Sequence, residues 1–595
     1  MAAYHPPLQD MEFVLHELAG LDEIASFPGF EDCSADLVHS VLEEAGRIAS
    51  EVLAPINQSG DKQGVRRENN GVKTADGWKQ AYDTLVEGNW IGLPCPTEFG
   101  GMGLPGVVNA AVHEMWQAAN MAFTLCPMLT QGAINAILSC SSEAQQAHYL
   151  PRLVSGEWAG TMNLTEAEAG SDLSAIRTKA VRQGDHFLIS GQKIFITYGD
   201  QDLTGNIIHL VLARIPDAPP GMKGISLFIV PKLLIDDEGE PIGPNDVQCV
   251  SLEHKLGIHG SPTAVMSFGE GEGAVGYLVG EENRGIEYMF VMMNHARLNV
   301  GLQGLAVADR AYQQARDFAL ERVQGKPVGC TEKSGIVDHP DVRRMLMGMK
   351  AEIEAMRALT YVAIAALDKA HAHPDPAARK DAKRYAGLLN PIVKGWCTER
   401  SVELASVGVQ VHGGMGFVEE TGAAQHLRDA RITTIYEGTT AIQANELVYR
   451  QIIKDDGAFL SEELSEISKL AQTLVQQSEP MLQDIGKSLL RSIEDAQQTI
   501  HWLLKIAPED PRHTAAAAVP VMLLIGTLLG GYQMARAAHL AAERISDPAH
   551  DQAFYQNKLR TAWHYAEAIL PRTSSLMTSI TRGSRTVMAL SRDQL

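Results

Sequence analysis

Residues 186–197 read HFLISGQKIFIT, in which branched and aromatic side chains stand on both sides of a Ser-Gly pair. This composition predicts two short β-strands joined by a turn. Two more β-prone runs follow at 207–215 and 224–230, and the loops between these segments contain Pro, Gly and an acidic run at 236–239. We therefore expect residues 162–279 to form a β-barrel or sandwich.

Helical periodicity surrounds this β-rich segment on both sides. Apolar residues recur at helical spacing from about residue 35 to 155, from about 285 to 455, and again from 457 to 595. The expected fold is mainly α with a central β-barrel domain, in the order helical, β, helical, helical. The predicted divisions are an N-terminal extension (1–34), a helical domain (35–161), the β-barrel domain (162–279), a second helical domain (280–455) and a C-terminal helical domain (456–595).

Length, charge and cysteine usage limit the classes of protein to consider. A chain of 595 residues exceeds what one hydrophobic core organises, so several packed units are expected. Fifty basic against 72 acidic residues give a formal net charge of −22, which repels a nucleic acid backbone. The seven cysteines are scattered without Cys-x-x-Cys spacing, which indicates reduced thiols. Because the first residues also lack the pattern of a signal or transit peptide, we predict a cytoplasmic protein.

Two stretches of the sequence match patterns that are typical of other classes of protein. Residues 514–531 carry no charge over the length of a membrane span, but Pro520 and three glycines interrupt them, so we predict a buried helix and no transmembrane segment. Residues 101–106, GMGLPG, satisfy the G-x-G-x-x-G dinucleotide pattern. No β-rich run leads into them, so we interpret them as an ordinary loop. The histidines show no metal-ligand spacing, and no metal site is predicted.

Six motifs follow one another along the chain. Residues 163–172, NLTEAEAGSD, offer hydroxyls, amides and a glycine, while Phe195 and Thr197 place an aromatic face beside a hydroxyl. Together these groups are able to cover a planar polar cofactor, although each segment alone is compatible with a plain loop or a core strand. The other four motifs are KLGIHGSPT (255–263), GYLVGEENRG (276–285), HGGMGF (412–417) and RDARITTIYEGT (428–439).

In this order and spacing the six motifs resemble the acyl-CoA dehydrogenase family. The resemblance covers residues 35–455, and the remaining section is similar to the extra helical domain of the longer bacterial members. Within the family the runs VGEENRG and ERVQG look most like the group that includes 3-methylmercaptopropionyl-CoA dehydrogenases. The substrate stays open, because relatives with this layout act on short, medium and long acyl chains.

The resemblance implies an FAD-dependent oxidation of an acyl-CoA thioester to a trans-2-enoyl-CoA. Glu437 matches the base that removes the α-proton, and its backbone amide would help to stabilise the enolate-like oxygen that forms. The β-hydrogen would leave as hydride to the flavin. Electrons would pass to an electron-transfer flavoprotein, while an oxidase that uses oxygen and a catalytically silent binding relative remain alternatives.

The same residue-by-residue match implies two sets of ligand contacts. The FAD contacts are Met162, Leu164, Thr165, Gly170, Ser171, Phe195, Thr197, Arg322, Gln324, Gln410, Gly413, Gly414 and Thr439. The acyl-CoA contacts are Ser171, Asn294, Arg297, Tyr436 and Gly438. Members of the family share the grip on FAD across a dimer interface, so the resemblance also implies a homodimer.

Some positions depart from the family pattern or have a second interpretation. Tyr449 stands where a medium-chain pattern has arginine, which puts that CoA contact in doubt, and Ala441 replaces a flavin-facing glutamine. The family often has tryptophan at the position of Phe195. A structural salt bridge explains Arg297 as well as a CoA contact does. For residues 457–595 we expect burial against the catalytic core or a dimer partner.

Overall fold

The computed structural model of the protein describes residues 3–68, 71–236 and 238–595. The α-helices of these residues are α1 (Leu8–Phe13), α2 (Leu21–Ile24), α3 (Ala35–Ile48), α4 (Asn57–Gln63), α5 (Trp78–Glu87), α6 (Gly106–Cys140), α7 (Glu143–Val154), α8 (Gly285–Glu321), α9 (Pro340–Ala372), α10 (Pro376–His412), α11 (Ala423–Thr433), α12 (Thr440–Asn445), α13 (Ala458–Val475), α14 (Pro480–Ile506), α15 (Pro511–Arg544), α16 (Gln552–Ala568) and α17 (Arg572–Thr578). Segments of π-helix lie at Val14–Ala19, Ala49–Leu53, Glu446–Ile452 and Ser579–Gly583.

The β-strands lie between α4 and α8. They are β1 (Arg66–Glu68), β2 (Gly71–Lys73), β3 (Trp158–Asn163), β4 (Lys179–Gln183), β5 (His186–Thr197), β6 (Asn206–Ala213), β7 (Ser226–Pro231), β8 (Leu233–Ile235), β9 (Pro241–Pro244), β10 (Val247–Leu252), β11 (Thr263–Phe268) and β12 (Ala274–Leu278). Strands β3 to β12 follow the first seven helices and precede α8, which is the order that the sequence predicts, but the short strands β1 and β2 lie within the predicted helical domain 35–161. Asp237, in the predicted acidic loop, lies outside the described residues.

The chain forms two units. The helical unit consists of residues 3–43, 106–114 and 300–595, and the mixed unit consists of residues 44–105 and 115–299. Each unit is described by itself below.

The main sheet of the mixed unit is open, so the predicted β-barrel is wrong. Its strands follow the order β10-β11-β5-β12-β7-β6-β3, with β4 paired to β5. The edge strand β3 lies against α6: the Gly160 amide donates to the Thr130 hydroxyl at 3.1 Å, and a Cβ on Gly160 would lie 2.4 Å from the Ala133 side chain. A helix therefore covers this edge of the sheet, which is one of the ways that proteins protect an edge strand without closing a barrel.

The segment 186–197 is one strand, and the predicted turn at its Ser-Gly pair is absent. The first half of β5 pairs with β4 and β12, and the second half pairs with β11. Gly191 stands between the halves with φ +151°, and a Cβ there would lie 2.6 Å from the Thr178 hydroxyl. A glycine at this point in the strand allows two backbones to approach closely. In the sequence, the Ser-Gly pair is instead typical of a turn.

The apolar stretch 514–531 lies within α15 and forms a buried helix, as predicted. In the helical unit α15 packs on α9, α10 and α12. A Cβ on Gly526 would lie 2.4 Å from the Trp396 ring, and one on Gly530 would lie 2.8 Å from the Tyr565 hydroxyl. The glycines therefore permit a close approach between α15, α10 and α16. The C-terminal section is thus buried against the helices α9 and α10.

Two helices of the described chain are long and apolar enough to cross a membrane, one more than the single stretch predicted from the sequence. The most apolar windows of Gly106–Cys140 and Pro511–Arg544 are 89% and 72% buried. Gly106–Cys140 is less evident in the sequence because polar side chains, including His113 and Glu114, interrupt its apolar residues. Buried core helices of this length satisfy the same length and composition test.

A buried network of charges joins the first residues to the C-terminal helices within the helical unit. Arg357 on α9 donates to Glu114 through Nε at 2.9 Å and Nη2 at 2.7 Å, and it also donates to Asp10. Lys558 on α16 pairs with the same Asp10 and, at 2.9 Å, with Glu354. Although burial opposes its ionisation, Lys558 and Arg357 hold the pKa of Asp10 well below its usual range.

We expect Lys558→Met to lower the thermal unfolding temperature by several degrees. The substitution leaves the carboxylates of Asp10 and Glu354 buried with one cation fewer, and breaking a buried pair costs about 3 kcal/mol. The control is Lys469→Met, which removes an exposed pair with Glu466 and should change stability by less than about 1 kcal/mol. Equal unfolding temperatures for the two variants in calorimetry would contradict the prediction.

We also expect buried His209 to make the protein less stable in mild acid. His209 lies on β6, 2.7 Å from the Thr161 hydroxyl, and burial lowers its pKa from 6.5 to about 3. Below pH 6.5 the unfolded chain takes up a proton that the folded chain does not, so stability falls by about 1.4 kcal/mol per pH unit down to about pH 3. In His209→Gln the loss of stability between pH 7.5 and 5.5, measured by denaturant titration, should be smaller. An unchanged loss would show that His209 is not responsible.

Candidate active site

Glu437 lies in the turn between α11 and α12 with its backbone in the left-handed region. Its φ is +55°, and that of the following Gly438 is +89°. A left-handed conformation costs a non-glycine residue about 1 kcal/mol, and such strain persists only where the surroundings hold it. The Glu437 side chain is half-buried. The position that the motif predicts for the base is therefore a strained residue in a turn.

Buried side chains bind the backbone of this turn from within the helical unit. The Gly438 carbonyl accepts hydrogen bonds from Lys394 Nζ at 2.7 Å and from Gln443 Nε2 at 3.2 Å. The Glu437 carbonyl accepts from the same Gln443 Nε2 at 3.1 Å. Lys394 and Gln443 are both fully buried. The turn is thus attached to α10 and to α12.

Tyr436 anchors the other side of the turn. Its amide donates to the Ile432 carbonyl at 3.2 Å, and its hydroxyl donates to the Gln303 side chain on α8. Burial, followed by the neighbouring Glu437 charge, raises the pKa of Tyr436 well above its ordinary value. Its phenol therefore stays neutral and remains a hydrogen-bond donor. The turn has an anchor immediately before Glu437 and further anchors immediately after it.

The glycine turn predicted to hold FAD follows α10. Gly413 has φ +60°, and nothing lies within 4 Å of a Cβ built on Gly413 or Gly414. Phe318 on α8 and His412 on α10 have ring centroids 4.5 Å apart. This contact brings the end of α8, where Arg322 follows one turn after Phe318, to the glycine turn. Gln324, Gln410 and Thr439 are also exposed in the helical unit.

The other predicted FAD contacts belong to the mixed unit, where β5 holds the segment after β3. Lys193 Nζ on β5 donates to the Leu164 carbonyl at 3.0 Å and to the Glu166 carboxylate at 2.8 Å. The Ile194 amide donates to the Thr165 carbonyl at 2.9 Å. These bonds bring Leu164 and Thr165 next to the part of β5 that carries Phe195.

Charge stabilises this attachment. Burial opposes the charge of Glu166, but Lys193 and the Thr178 hydroxyl together lower the pKa of Glu166 below its ordinary value. Burial lowers the pKa of Lys193 to about 8. The pair is therefore ionised at neutral pH and holds the two segments through charge-assisted hydrogen bonds.

Phe195 and Gly170 are each accessible to a planar cofactor. Phe195 has φ +60° and is 58% exposed, which is unusual for a large aromatic residue. Nothing lies within 4 Å of a Cβ built on Gly170, and Ser171 beside it is exposed. An exposed ring, an open glycine and nearby hydroxyls match the chemistry of an isoalloxazine, which needs stacking and hydrogen bonds at its edge.

Two of the predicted acyl-CoA contacts, Asn294 and Arg297, lie in the first half of α8. Asn294 is exposed, whereas Arg297 is 6% exposed with its guanidinium 5.9 Å from the centre of the Phe290 ring. Tyr449, the departure from the medium-chain pattern, donates through its hydroxyl to the Pro511 carbonyl at 3.2 Å. Tyr449 therefore contacts the start of α15, whereas the arginine of the medium-chain pattern is a CoA contact.

Several residues of the candidate site were missed by sequence reasoning. They are Lys394, Gln443, Gln303, Glu166 and Lys193. Glu166 stands inside the motif 163–172, and Lys193 lies two residues before Phe195. One feature of the sequence does point to Lys394. It is the one charged residue within the apolar run 392–397 of a helix, and a lysine is almost never fully buried without a partner.

Sequence models of four protein domains match the chain. They are the N-terminal domain of acyl-CoA dehydrogenase (residues 39–157), its middle domain (161–270), its C-terminal domain (283–452) and an acetyl-CoA dehydrogenase C-terminal-like domain (461–591). The chain belongs to the acyl-CoA dehydrogenase family. It is therefore an FAD-dependent oxidoreductase with the fold of that family and an extra C-terminal domain.

Relatives of this acyl-CoA dehydrogenase cover nearly its whole length. A 3-methylmercaptopropionyl-CoA dehydrogenase of Ruegeria pomeroyi is 46% identical over 97% of this chain and 98% of its own. A broad-specificity linear acyl-CoA dehydrogenase of Mycobacterium tuberculosis is 34% identical over 97% of each chain. The crystal structure of an acyl-CoA dehydrogenase complexed with FAD from Bacillus anthracis is similar in fold, with a TM-score of 0.73 and 20% identity over 94% of this chain and 90% of its own.

We expect Lys193→Met to weaken FAD binding at least tenfold. The substitution removes the donor to the Leu164 carbonyl and leaves the Glu166 carboxylate buried without its cation, so the segment after β3 loses its attachment to β5. FAD affinity is measured by titrating the apoprotein and following flavin fluorescence. The control is Lys179→Met, an exposed lysine on β4 of the same sheet. Equal FAD affinities for the two variants would refute the role of the pair.

Proposed function

We propose that this enzyme converts an acyl-CoA thioester to the trans-2-enoyl-CoA, with Glu437 as the base that removes the α-proton. The α-proton of a thioester is a weak acid, so its removal needs a carboxylate held in one position. The observation that carries the proposal is the left-handed backbone of Glu437, bound on both sides by buried side chains. Strain that the surroundings maintain at one acidic residue is typical of a catalytic position.

The residues of the turn have separate tasks in this proposal. The Glu437 carboxylate accepts the α-proton, and the Glu437 amide donates to the thioester oxygen, which gains negative charge as the proton leaves. Asn294, Arg297, Ser171, Tyr436 and Gly438 bind the acyl-CoA. FAD, when bound, supplies the acceptor for the hydride that leaves the β-carbon.

In this proposal two sets of residues bind FAD. Met162, Leu164, Thr165, Gly170, Ser171, Phe195 and Thr197 hold the isoalloxazine. Arg322, Gln324, Gln410, Gly413, Gly414 and Thr439 hold the pyrophosphate and the adenosine. We propose that a homodimer completes this second site. Large apolar side chains beside the glycine turn support it, since Phe417 is 88% and Met415 53% exposed, and exposed apolar surface of this kind marks interfaces.

We propose a short or medium linear thioester as substrate, with a thioether acyl-CoA as the first candidate. The relative that is 46% identical carries the name 3-methylmercaptopropionyl-CoA dehydrogenase, and the one that is 34% identical is named for broad specificity toward linear acyl-CoA. The electron acceptor in this proposal is an electron-transfer flavoprotein in the cytoplasm. Both relatives are named dehydrogenases, which supports this acceptor over oxygen.

The reaction is tested under anaerobic conditions. Purified protein is mixed with acyl-CoAs of increasing chain length and with 3-methylmercaptopropionyl-CoA, and bleaching of the flavin band is followed. Bleaching by at least one thioester is expected, and the proposal fails if none has this effect. Air is then admitted: slow reoxidation supports the dehydrogenase, while rapid formation of peroxide would identify an oxidase.

We expect Glu437→Gln to reduce the rate of flavin reduction by about 100-fold to 10,000-fold while FAD and acyl-CoA still bind. The amide has nearly the shape of the carboxylate but cannot accept the α-proton, and general bases contribute this much to rate. Stopped-flow reduction measures the rate, and titration measures binding. Glu446→Gln, on the helix after the turn, is the control. A normal rate of reduction in Glu437→Gln would exclude Glu437 as the base.

A further inference from the structure

The carbonyl groups of the turn that contains Glu437 face inward. The Gly438 carbonyl accepts hydrogen bonds from the buried side chains of Lys394 at 2.7 Å and Gln443 at 3.2 Å, and the Glu437 carbonyl accepts one from Gln443 at 3.1 Å. In a planar trans peptide the N–H points opposite to the carbonyl. Since the Gly438 carbonyl is directed toward α10 and α12, and the Glu437 carbonyl toward α12, the amides of Gly438 and Thr439 are directed to the opposite side. Two side chains thus determine the orientation of two successive peptide units.

The same two side chains determine where Glu437 points. Peptides in the left-handed region are disfavoured for glutamate, so an unsupported turn relaxes toward another backbone conformation. Rotation of the peptide between Glu437 and Gly438 changes the direction of the Glu437 Cα–Cβ bond relative to α10. The hydrogen bonds from Lys394 and Gln443 oppose that rotation. Tyr436 limits movement on the preceding side through its bond to Gln303.

Burial makes the Lys394 contact strong. Lys394 is fully buried in α10, so its ammonium group needs the hydrogen bonds that it makes, and a charged donor bonds more strongly than a neutral one. The adjacent Gly395 lies against Met522 of α15: a Cβ on Gly395 would be 2.2 Å from the Met522 sulfur and 3.4 Å from the Gln443 side chain. The C-terminal section thereby packs against α10 at the residue next to Lys394, and α15 also packs on α12, which carries Gln443.

We propose that Lys394 and Gln443 are positioning residues, which act on the reaction by holding the Glu437 turn in its reactive conformation. The inference rests on the proposed role of Glu437 as the base. It also assigns a task to α15, whose Met522 packs against Gly395, the neighbour of Lys394 on α10. Neither residue touches the substrate in this proposal, so loss of either one slows proton removal without weakening the binding of acyl-CoA.

The test uses the full-length, FAD-loaded protein and the variants Lys394→Met and Gln443→Leu. Both replace a donor by an apolar side chain of similar size. At saturating acyl-CoA we expect flavin reduction to slow by about tenfold or more in each variant, because a misplaced reacting group loses this much rate. FAD content and the dissociation constant of acyl-CoA should stay within about threefold of the original values.

Two further measurements separate positioning from general damage to the fold. With α-deuterated acyl-CoA, the isotope effect on flavin reduction should be at least as large in the variants as in the original protein, because proton removal has become slower. Lys394→Arg keeps a charged donor and should recover part of the lost rate. Loss of FAD, or weaker acyl-CoA binding in proportion to the lost rate, would overturn the proposal in favour of a structural role.

The controls distinguish failure of this inference from failure of the proposed function. Lys383→Met removes an exposed lysine from the same helix and should leave the rate unchanged. If Glu437→Gln abolishes flavin reduction while Lys394→Met and Gln443→Leu react normally, only the positioning role is wrong. If Glu437→Gln itself reacts normally, the proposed base is wrong. Should Lys394→Met fail to fold, Gln443→Leu decides, and a normal rate in that variant refutes the inference.

Discussion

The hydrogen bond from the buried ammonium of Lys394 to the Gly438 carbonyl is the constraint on which the candidate active site depends. It joins the middle of α10 to a turn in which Glu437 and Gly438 both have positive φ. A left-handed glutamate is unfavourable in isolation, so the surrounding helices must supply the energy that holds it there. Helices α10, α12 and α15 meet at this point, and the small residue Gly395 allows Met522 to approach closely.

In the mixed unit, too, a buried lysine holds a backbone segment in place. Lys193, fully buried on β5, donates to the Leu164 carbonyl just as Lys394 donates to that of Gly438. In both places a buried lysine holds the backbone of a segment proposed to contact FAD or substrate. A long side chain with a charged end can reach such a backbone from inside the core, and the partner carboxylate Glu166 makes the charge tolerable beside β5.

Some of the architecture was accessible from residue patterns. Helical periodicity and the β-prone runs predicted the order of elements, and strands β6 and β7 begin and end within a few residues of the predicted runs. The predicted barrel and the predicted turn inside 186–197 were wrong for related reasons. Strand propensity is local, but closure of a sheet depends on what covers its edges, and here α6 covers β3 through Thr130 and Ala133. Gly191 looked like a turn residue, yet it serves a close contact with Thr178.

The sequence by itself determined the family, the dependence on FAD and the identity of the acid proposed as the base, because these follow from residue types in a fixed order. The tertiary structure alone decided how that acid is held. Lys394 lies 44 residues from Gly438 along the chain, and Lys193 lies 29 residues from Leu164. Neither pairing follows a helical or strand repeat, so periodicity does not indicate it. Such contacts arise only when helices and strands pack, since packing brings a buried donor to a distant carbonyl.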